Sequence, residues 1–277
     1  MKKIKIAFQG ERGAFSEIAA RHYFPAGTIE LVPHTTFVDV FHAVEKKKVK
    51  YGIVPVENTL SGGIREVFNL LDVEPVYVRG EIKLKISHSL LAKRTSRMSA
   101  IRTVYSHPQA LLQCRKFIRS AGLRPVEYYD TAGAAKYVSG TKDESIAAIA
   151  SEAAAEDYNL KVLKRRLESD GNNFTRFLII SNRYEIQKDA DKTTVTFSLR
   201  NAPGALHKLL SAFAIRDIDL LTIDSIPILG KPWEYKFYVD FSGSINNVVQ
   251  QRAIDHLEEM SPHVKIVGSY KSGRTIQ

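Results

Sequence analysis

The segment Asp170-Gly171-Asn172-Asn173-Phe174-Thr175-Arg176 carries five polar side chains in seven positions and runs straight into Phe177-Leu178-Ile179-Ile180. An apolar run that buries as a strand fixes the backbone leading into it, so the hydroxyl of Thr175 and the guanidinium of Arg176 are held in place. Arg offers a planar fork of donors that matches a carboxylate. Thr offers a short hydroxyl on a stiff stem. The chemistry such a set could do is to grip an anion and deliver one hydrogen bond beside it. The plainer readings are a surface ion pair for Arg176 and an ordinary strand position for Thr175. The asparagines before them and the apolar strand after them favour a site. No Ser-His-Asp, zinc or paired-carboxylate pattern competes.

Other polar groups gather where strands end and helices begin. Glu57-Asn58-Thr59, with Ser61 shortly after, follows the apolar stretch Gly52–Val56. In α/β sheets ligands collect beyond the carboxyl ends of strands. Gly10–Ser16 follows the stretch Ile4–Phe8 and opens a helix, where glycines and a helix N-terminus suit a carboxylate. A tight turn explains the same glycines. The three-glycine dinucleotide fingerprint and the Walker lysine-serine pair are both missing, so a nucleotide is not expected. Ser106-His107-Pro108-Gln109 reads as a helix start, with Ser106 as cap, Pro108 in the first turn and Gln109 closing a capping box. His107 is then left over, either as a structural histidine or as a ligand contact. Asp130-Thr131 caps an Ala-rich helix, and Thr131 either caps only or also touches a ligand.

The elements that must position these groups alternate. Strands are expected at Ile4–Phe8, Gly52–Val56, Val76–Val78, Ile82–Leu84, Ile101–Tyr105, Val126–Tyr129 and Ser145–Ile149. Helices are expected at Ala14–Tyr23, after the Thr36 cap, around Val67–Leu71, after Ser106, at Ala132–Val138 and at Glu152–Tyr158. This is an α/β pattern with largely parallel sheets. Asn182–Lys192 is rich in Arg, Glu, Gln, Lys and Asp and reads as a linker. Beyond it come a strand at Thr193–Leu199, a helix after Pro203-Gly204, strands at Leu220–Ile226 and Tyr235–Phe241 joined across Gly230-Lys231-Pro232, a helix at Val248–Met260 and a strand at Val264–Val267. The order βαββαβ is the ferredoxin-like unit. Grouped titratable residues are absent from it, so it does not read as a second enzyme.

Composition narrows the class. Of 277 residues, 44% are hydrophobic and 25% charged, which fits a globular protein. No apolar run approaches the ~20 residues of a membrane span. The start Met1-Lys2-Lys3-Ile4-Lys5 has a basic flank but too short an apolar run for a secretory signal. With one cysteine, Cys114, neither a disulfide framework nor a cysteine metal cluster is expected. The cytoplasm is the expected compartment. The net charge of +10 is spread along the chain, and its densest cluster, Lys46-Lys47-Lys48 with Lys50, ends a helix. No nucleic-acid motif accompanies it, so a small acidic substrate is the expected partner rather than nucleic acid or membrane.

Taken together, Asn173-Phe174-Thr175-Arg176-Phe177, Glu57-Asn58-Thr59, Ser106–Cys114 and Asp130–Ala135 resemble the prephenate dehydratase family. The tail resembles the ACT domain that accompanies it. The resemblance implies a two-lobed catalytic domain similar to periplasmic binding proteins over 1–181, with hinges near 80–85 and 160–170. A linker over 182–192 and an ACT regulatory domain over 193–277 would follow. It implies conversion of prephenate to phenylpyruvate in phenylalanine biosynthesis, without cofactor or metal, by a homodimer or homotetramer under phenylalanine feedback. Thr175 matches the family's catalytic threonine, and Arg176 would hold a substrate carboxylate. Asn173, Asn58, Thr59, Ser61, Thr131 and Glu57 would orient the substrate. A carboxylate facing a dianion is unfavourable, so Glu57 is expected to meet backbone N–H groups or a cation. Ala205, Leu206, Asp224 and Ser225 match the effector motifs. Those motifs depart from the family, because His207 replaces a valine and Ile226 an arginine. Thr59 also stands for a serine. Arogenate dehydratase, and a non-catalytic protein binding an anion or amino acid, remain alternatives.

Overall fold

Three sheets organise the chain in this computed structural model, which describes residues 3–199, 202–228, 230–231 and 233–277. Met1 and Lys2 of the basic start, and Pro232 of the expected turn, lie outside these. The first sheet runs in the order Thr275–Ile276, Tyr77–Lys85, Phe174–Ser181, Tyr51–Asn58, Ile4–Gln9, Ile29–His34. Its members Ile4–Gln9, Ile29–His34 and Tyr51–Asn58 pair in parallel. Phe174–Ser181 runs antiparallel between Tyr51–Asn58 and Tyr77–Lys85. Every side chain from Thr175 to Ser181 is buried, as an apolar strand at the centre of a sheet requires.

The second sheet comprises Lys161–Lys164, Ser89–Ala92, Ile146–Ala150, Thr103–Ser106 and Arg124–Glu127. The chain crosses into it after Lys85 and returns before Phe174. The first crossing comes directly after 80–85, where the two expected strands prove to be one, Tyr77–Lys85, paired with Phe174–Ser181. The short strands Ser89–Ala92 and Lys161–Lys164 carry too few alternations to stand out in sequence. The two sheets meet at Gly13, where a Cβ would fall 2.5 Å from the Ala154 Cα, so only glycine permits this approach.

The third sheet, Leu220–Pro227, Tyr235–Ser242, Lys192–Ser198 and Val264–Tyr270, is antiparallel throughout. With helices Ala205–Ala214 and Val248–Met260 it forms the expected βαββαβ unit. Its helices cover one face with a core of Phe197, Phe213, Val239, Phe241 and Leu257. Its other face is covered by the first sheet and helix Arg65–Val73: Ile226, Tyr238, Val267 and Tyr270 share one cluster with Val67, Phe68, Leu71 and Val78. That double coverage explains why all seven residues of Lys192–Ser198 are buried. The segment expected as a linker is pinned at both ends. Arg79 Nη1 donates to the Glu185 carbonyl at 2.7 Å, and Lys192 Nζ meets Glu81 at 2.8 Å.

Asp72 ties this junction. Its buried carboxylate accepts from Thr196 Oγ1 at 2.6 Å, from His263 Nε2 at 2.9 Å and from Lys236. Burial pushes its carboxyl up, yet Lys236, Thr196 and His263 outweigh that and hold it below the usual aspartate value. The stabilisation is therefore complete above the ordinary carboxyl pKa of about 3.9 and lost as pH falls through the lower folded value. Asp72→Asn should cost about 1–3 kcal/mol at neutral pH. Melting curves on a descending pH series check this: the gap between wild type and variant should hold down to about pH 4 and narrow below it.

Candidate active site

A cavity of about 380 Å³ lies between the first two sheets, beyond the carboxyl ends of their parallel strands. Asn58, Ser61 and Thr175 form one wall, and His107, Gln109, Gln113, Asp130 and Thr131 face them. Phe15, Phe37, Ile64 and Phe177 supply apolar surface. Among the described residues no lysine or arginine lines it. Helices Phe15–Tyr23 and Thr131–Gly140 both open at its edge, bringing the positive ends of two dipoles to one space. A larger depression of about 810 Å³, bordered by Lys3, Lys5, Lys47 and Lys48, sits at the other end of the strands, away from these converging groups.

A bulge aims the wall. Thr175 pairs with Asn58, Arg176 with Glu57 and Phe177 with Pro55, so Val56 is the extra residue. Strict alternation from Pro55, which lines the cavity, would send Asn58 to the opposite face. The bulge brings Asn58 back beside Thr175.

Backbone donors then determine the proton directions. Asn58 Oδ1 accepts from the N–H groups of Leu60 at 3.0 Å and Ser61 at 3.1 Å. Backbone N–H groups only donate, so the amide oxygen must face that turn and the NH2 must face the neighbouring strand. It donates to Asn173 Oδ1 at 2.8 Å and to Thr175 Oγ1 at 3.0 Å. Thr175 Oγ1 is thus an acceptor toward the protein. Among the described residues no acceptor takes its own proton, which is left for the cavity. Asn173, whose oxygen is occupied, donates from Nδ2 to Gln113 Oε1 at 2.9 Å.

Arg176 does not reach the cavity. Period-two alternation sends it to the opposite face of the strand, toward the third sheet. Its Nε donates to Glu57 at 3.1 Å and Nη1 to Glu81 at 3.2 Å. Asp240 Oδ2 lies 2.7 Å from Nη1 as an ion pair whose angle departs from that of a hydrogen bond. Burial opposes its charge, but Asp240 and Glu81 outweigh burial and keep the guanidinium firmly protonated. The expectation that it grips a substrate carboxylate is corrected: Nε and Nη1 are taken by the protein's own carboxylates, and Nη2 is buried without a partner, away from the cavity.

A family model described as prephenate dehydratase matches residues 6–185. The chain is 38% identical to arogenate dehydratase/prephenate dehydratase 2, chloroplastic, of Arabidopsis thaliana over 99% of its length and 74% of that protein's. The chain belongs to the prephenate dehydratase family. A solved prephenate dehydratase from Arthrobacter aurescens, in complex with L-Phe, superposes with a TM-score of 0.89 at 27% identity, covering 97% of this chain and 90% of that one. A structure titled GqqA, a novel type of quorum quenching acylases, superposes at 0.88 and 32% identity, covering 97% and 98%.

The remaining expected residues fall into groups within this family frame. Thr175, Asn58, Ser61 and Thr131 line the cavity, and Asn173 is fully buried one bond behind it. Glu57 faces away and pairs with Arg176, a cation, so it does not orient substrate. Thr59 also lies outside the cavity lining: its hydroxyl donates to the Asn172 carbonyl at 2.6 Å and accepts from Phe174 N–H at 2.9 Å, clamping the strand end. Ser106 is not the cap expected of it. Its Oγ donates to the Ile149 carbonyl at 2.5 Å, and His107 Nδ1 accepts from the Gln109 N–H at 3.2 Å instead. The Gly13 N–H is likewise withdrawn from any ligand by Glu17 Oε2 at 2.7 Å. Sequence reasoning missed Gln113 and His88, both at the cavity. A polar residue near the end of a helix and a lone histidine before a short strand gave no pattern of their own.

Proposed function

We propose that this protein converts prephenate to phenylpyruvate, releasing water and carbon dioxide, as a step of phenylalanine biosynthesis. The observation that carries this is the Thr175 hydroxyl, held as an acceptor by Asn58 with its proton left for the cavity. As the ring carboxylate leaves as carbon dioxide, the electrons of its carbon–carbon bond enter the ring. The ring carbon–oxygen bond breaks, hydroxide departs and takes up a proton to become water, and the ring becomes aromatic. Thr175 hydrogen-bonds the oxygen as charge develops on it. A threonine hydroxyl is too weak an acid to transfer its proton ahead of bond cleavage, so transfer is late or absent. With no lysine or arginine lining the cavity among the described residues, the two carboxylates rest on neutral donors and on the N-terminus of helix Phe15–Tyr23, since the Asp130 carboxylate already caps Thr131–Gly140.

Arogenate differs from prephenate by an ammonium in place of a keto group. Asp130, a carboxyl at the cavity, is the observation that favours it as a second substrate. Comparing kcat/KM for the two compounds decides between them. An acylase reading has less support. Thr175 is partnered by an amide and Ser61 Oγ by Asn58 Oδ1, with no histidine base on either.

We further read the βαββαβ unit as an ACT regulatory domain, in a cytoplasmic homodimer or homotetramer that binds phenylalanine through Ala205, Leu206, Asp224 and Ser225. The L-Phe complex of the Arthrobacter relative supports this. Asp224 faces the catalytic lobe, since a Cβ on Gly63 would lie 2.9 Å from its Oδ2. Ile226 fills the core between the units, which an arginine would disrupt. The decisive experiment is purified protein with prephenate, reading phenylpyruvate directly, with and without phenylalanine. Inhibition is expected, and Asp224→Ala should raise the inhibitory concentration at least tenfold with uninhibited kcat unchanged. An unchanged inhibitory concentration would remove Asp224 from the effector site.

A further inference from the structure

His88 is 2% exposed and borders the cavity. Its backbone is anchored: the N–H donates to Glu168 Oε2 at 2.9 Å, and the carbonyl accepts from the Leu167 N–H at 3.0 Å. Its ring stands edge-on to Phe15, centroids 5.5 Å apart at 86°. Nε2 lies 2.9 Å from Gln113 Oε1, while the buried Nδ1 has no partner.

The polarity fixed at Asn58 extends to this ring. The backbone N–H groups of Leu60 and Ser61 orient Asn58, Asn58 orients Asn173, and Asn173 donates to Gln113 Oε1. Gln113 therefore presents its oxygen to Asn173 and to His88 alike. Only a donor can face an amide oxygen, so His88 must carry its proton on Nε2. Nδ1, sealed and unpartnered, is a bare lone pair, which a charged imidazole would not leave there. Burial also pushes the His88 pKa down, against the opposing effect of Glu168. With both acceptor positions of its oxygen filled, Gln113 turns its NH2 elsewhere. Among the described residues no acceptor takes that NH2, and Gln113 borders the cavity.

We propose that His88 is a positioning residue, held as the neutral Nε2–H tautomer, that locks the Gln113 carboxamide so that its NH2 donates to an oxygen of the anionic substrate. The inference rests on the reading of this cavity as the dehydratase site. It differs from the role of Thr175, since it concerns a ring separated from that hydroxyl by Asn58, Asn173 and Gln113. The one proton of the neutral ring is committed to Gln113 Oε1, so His88 has none to give the substrate.

Two experiments test this. In the full-length protein labelled with ¹⁵N-histidine, at pH 7 and without substrate, the His88 resonances, assigned by their loss in His88→Gln, should show Nε2 protonated and Nδ1 bare. A Nδ1–H tautomer or an imidazolium overturns the proposal. This readout needs no turnover, so it stands apart from whether prephenate is the substrate. In kinetics, His88→Phe keeps the ring and its contact with Phe15 but removes the donor, so Gln113 can rotate. We expect kcat/KM for prephenate to fall about 10–100-fold, with the melting temperature close to wild type. His88→Gln, whose amide can place an N–H near Nε2, should recover to within about threefold of wild type. A folded His88→Phe with wild-type kcat/KM, or a His88→Gln as impaired as His88→Phe, overturns the role. If His88→Phe fails to fold, the tautomer measurement and His88→Gln decide alone.

Discussion

Thr175→Val should lower kcat for phenylpyruvate formation at saturating prephenate by about 10²–10⁴, the range expected when a hydrogen-bond donor to a leaving group is removed. KM should change little, because the bond strengthens as charge develops on the departing oxygen rather than when substrate binds. Folding should hardly be affected. Thr175 Oγ1 is one of three acceptors near Asn58 Nδ2, and Asn173 Oδ1 at 2.8 Å and the Phe174 carbonyl at 3.1 Å remain. Valine keeps the branched shape suited to a buried strand position. A fall in kcat of less than about tenfold would remove Thr175 from the leaving-group role. Stopped assays of phenylpyruvate alongside a melting curve separate the two effects.

The sequence made Thr175 legible and Arg176 misleading for the same reason. An isolated strand declares that its residues alternate, but not which face meets which neighbour. Here the face opposite the cavity is occupied by another part of the chain, near Asp240, which no local pattern reveals. Asn58 shows the converse. Its polarity marked it as a site residue, but its direction depends on a bulge at Val56 that neither propensity nor spacing predicts. Longer elements were readable because periodicity accumulates along them, as in Val248–Met260. Strands such as Lys161–Lys164 depend on partners distant in sequence and were not. His107 illustrates a local ambiguity: Ser106 and His107 can both cap, and the buried carbonyl of Ile149 claims the serine.

Arg176→Met should act on stability rather than on substrate binding. The guanidinium is 6% exposed among Glu57, Glu81 and Asp240, and Lys192 pairs with Glu81 of this group. Removing the arginine leaves Asp240 buried, with Thr194 Oγ1 as its remaining donor among the described residues, at 2.5 Å. Breaking a buried ion pair from one side typically costs about 3–5 kcal/mol, because the partner's desolvation is no longer offset. At about 2–4 °C per kcal/mol for a chain of this size, the melting temperature should fall by roughly 6–20 °C. Arg176→Lys keeps the charge but cannot span Nε and Nη1 contacts at once, so it should fall between. Pairing Arg176→Met with Asp240→Asn should recover part of the loss, since the stranded charge is then gone; that non-additivity separates an ion-pair cost from lost packing. KM for prephenate in the folded fraction should stay within about threefold. The opposite pattern, an unchanged melting temperature with KM raised at least tenfold, would return Arg176 to the substrate. Because the network joins the strand bearing Thr175 to the third sheet, the same variant should also loosen that sheet's hold on the strand, and hydrogen exchange should rise first in Phe174–Ser181 and Lys192–Ser198.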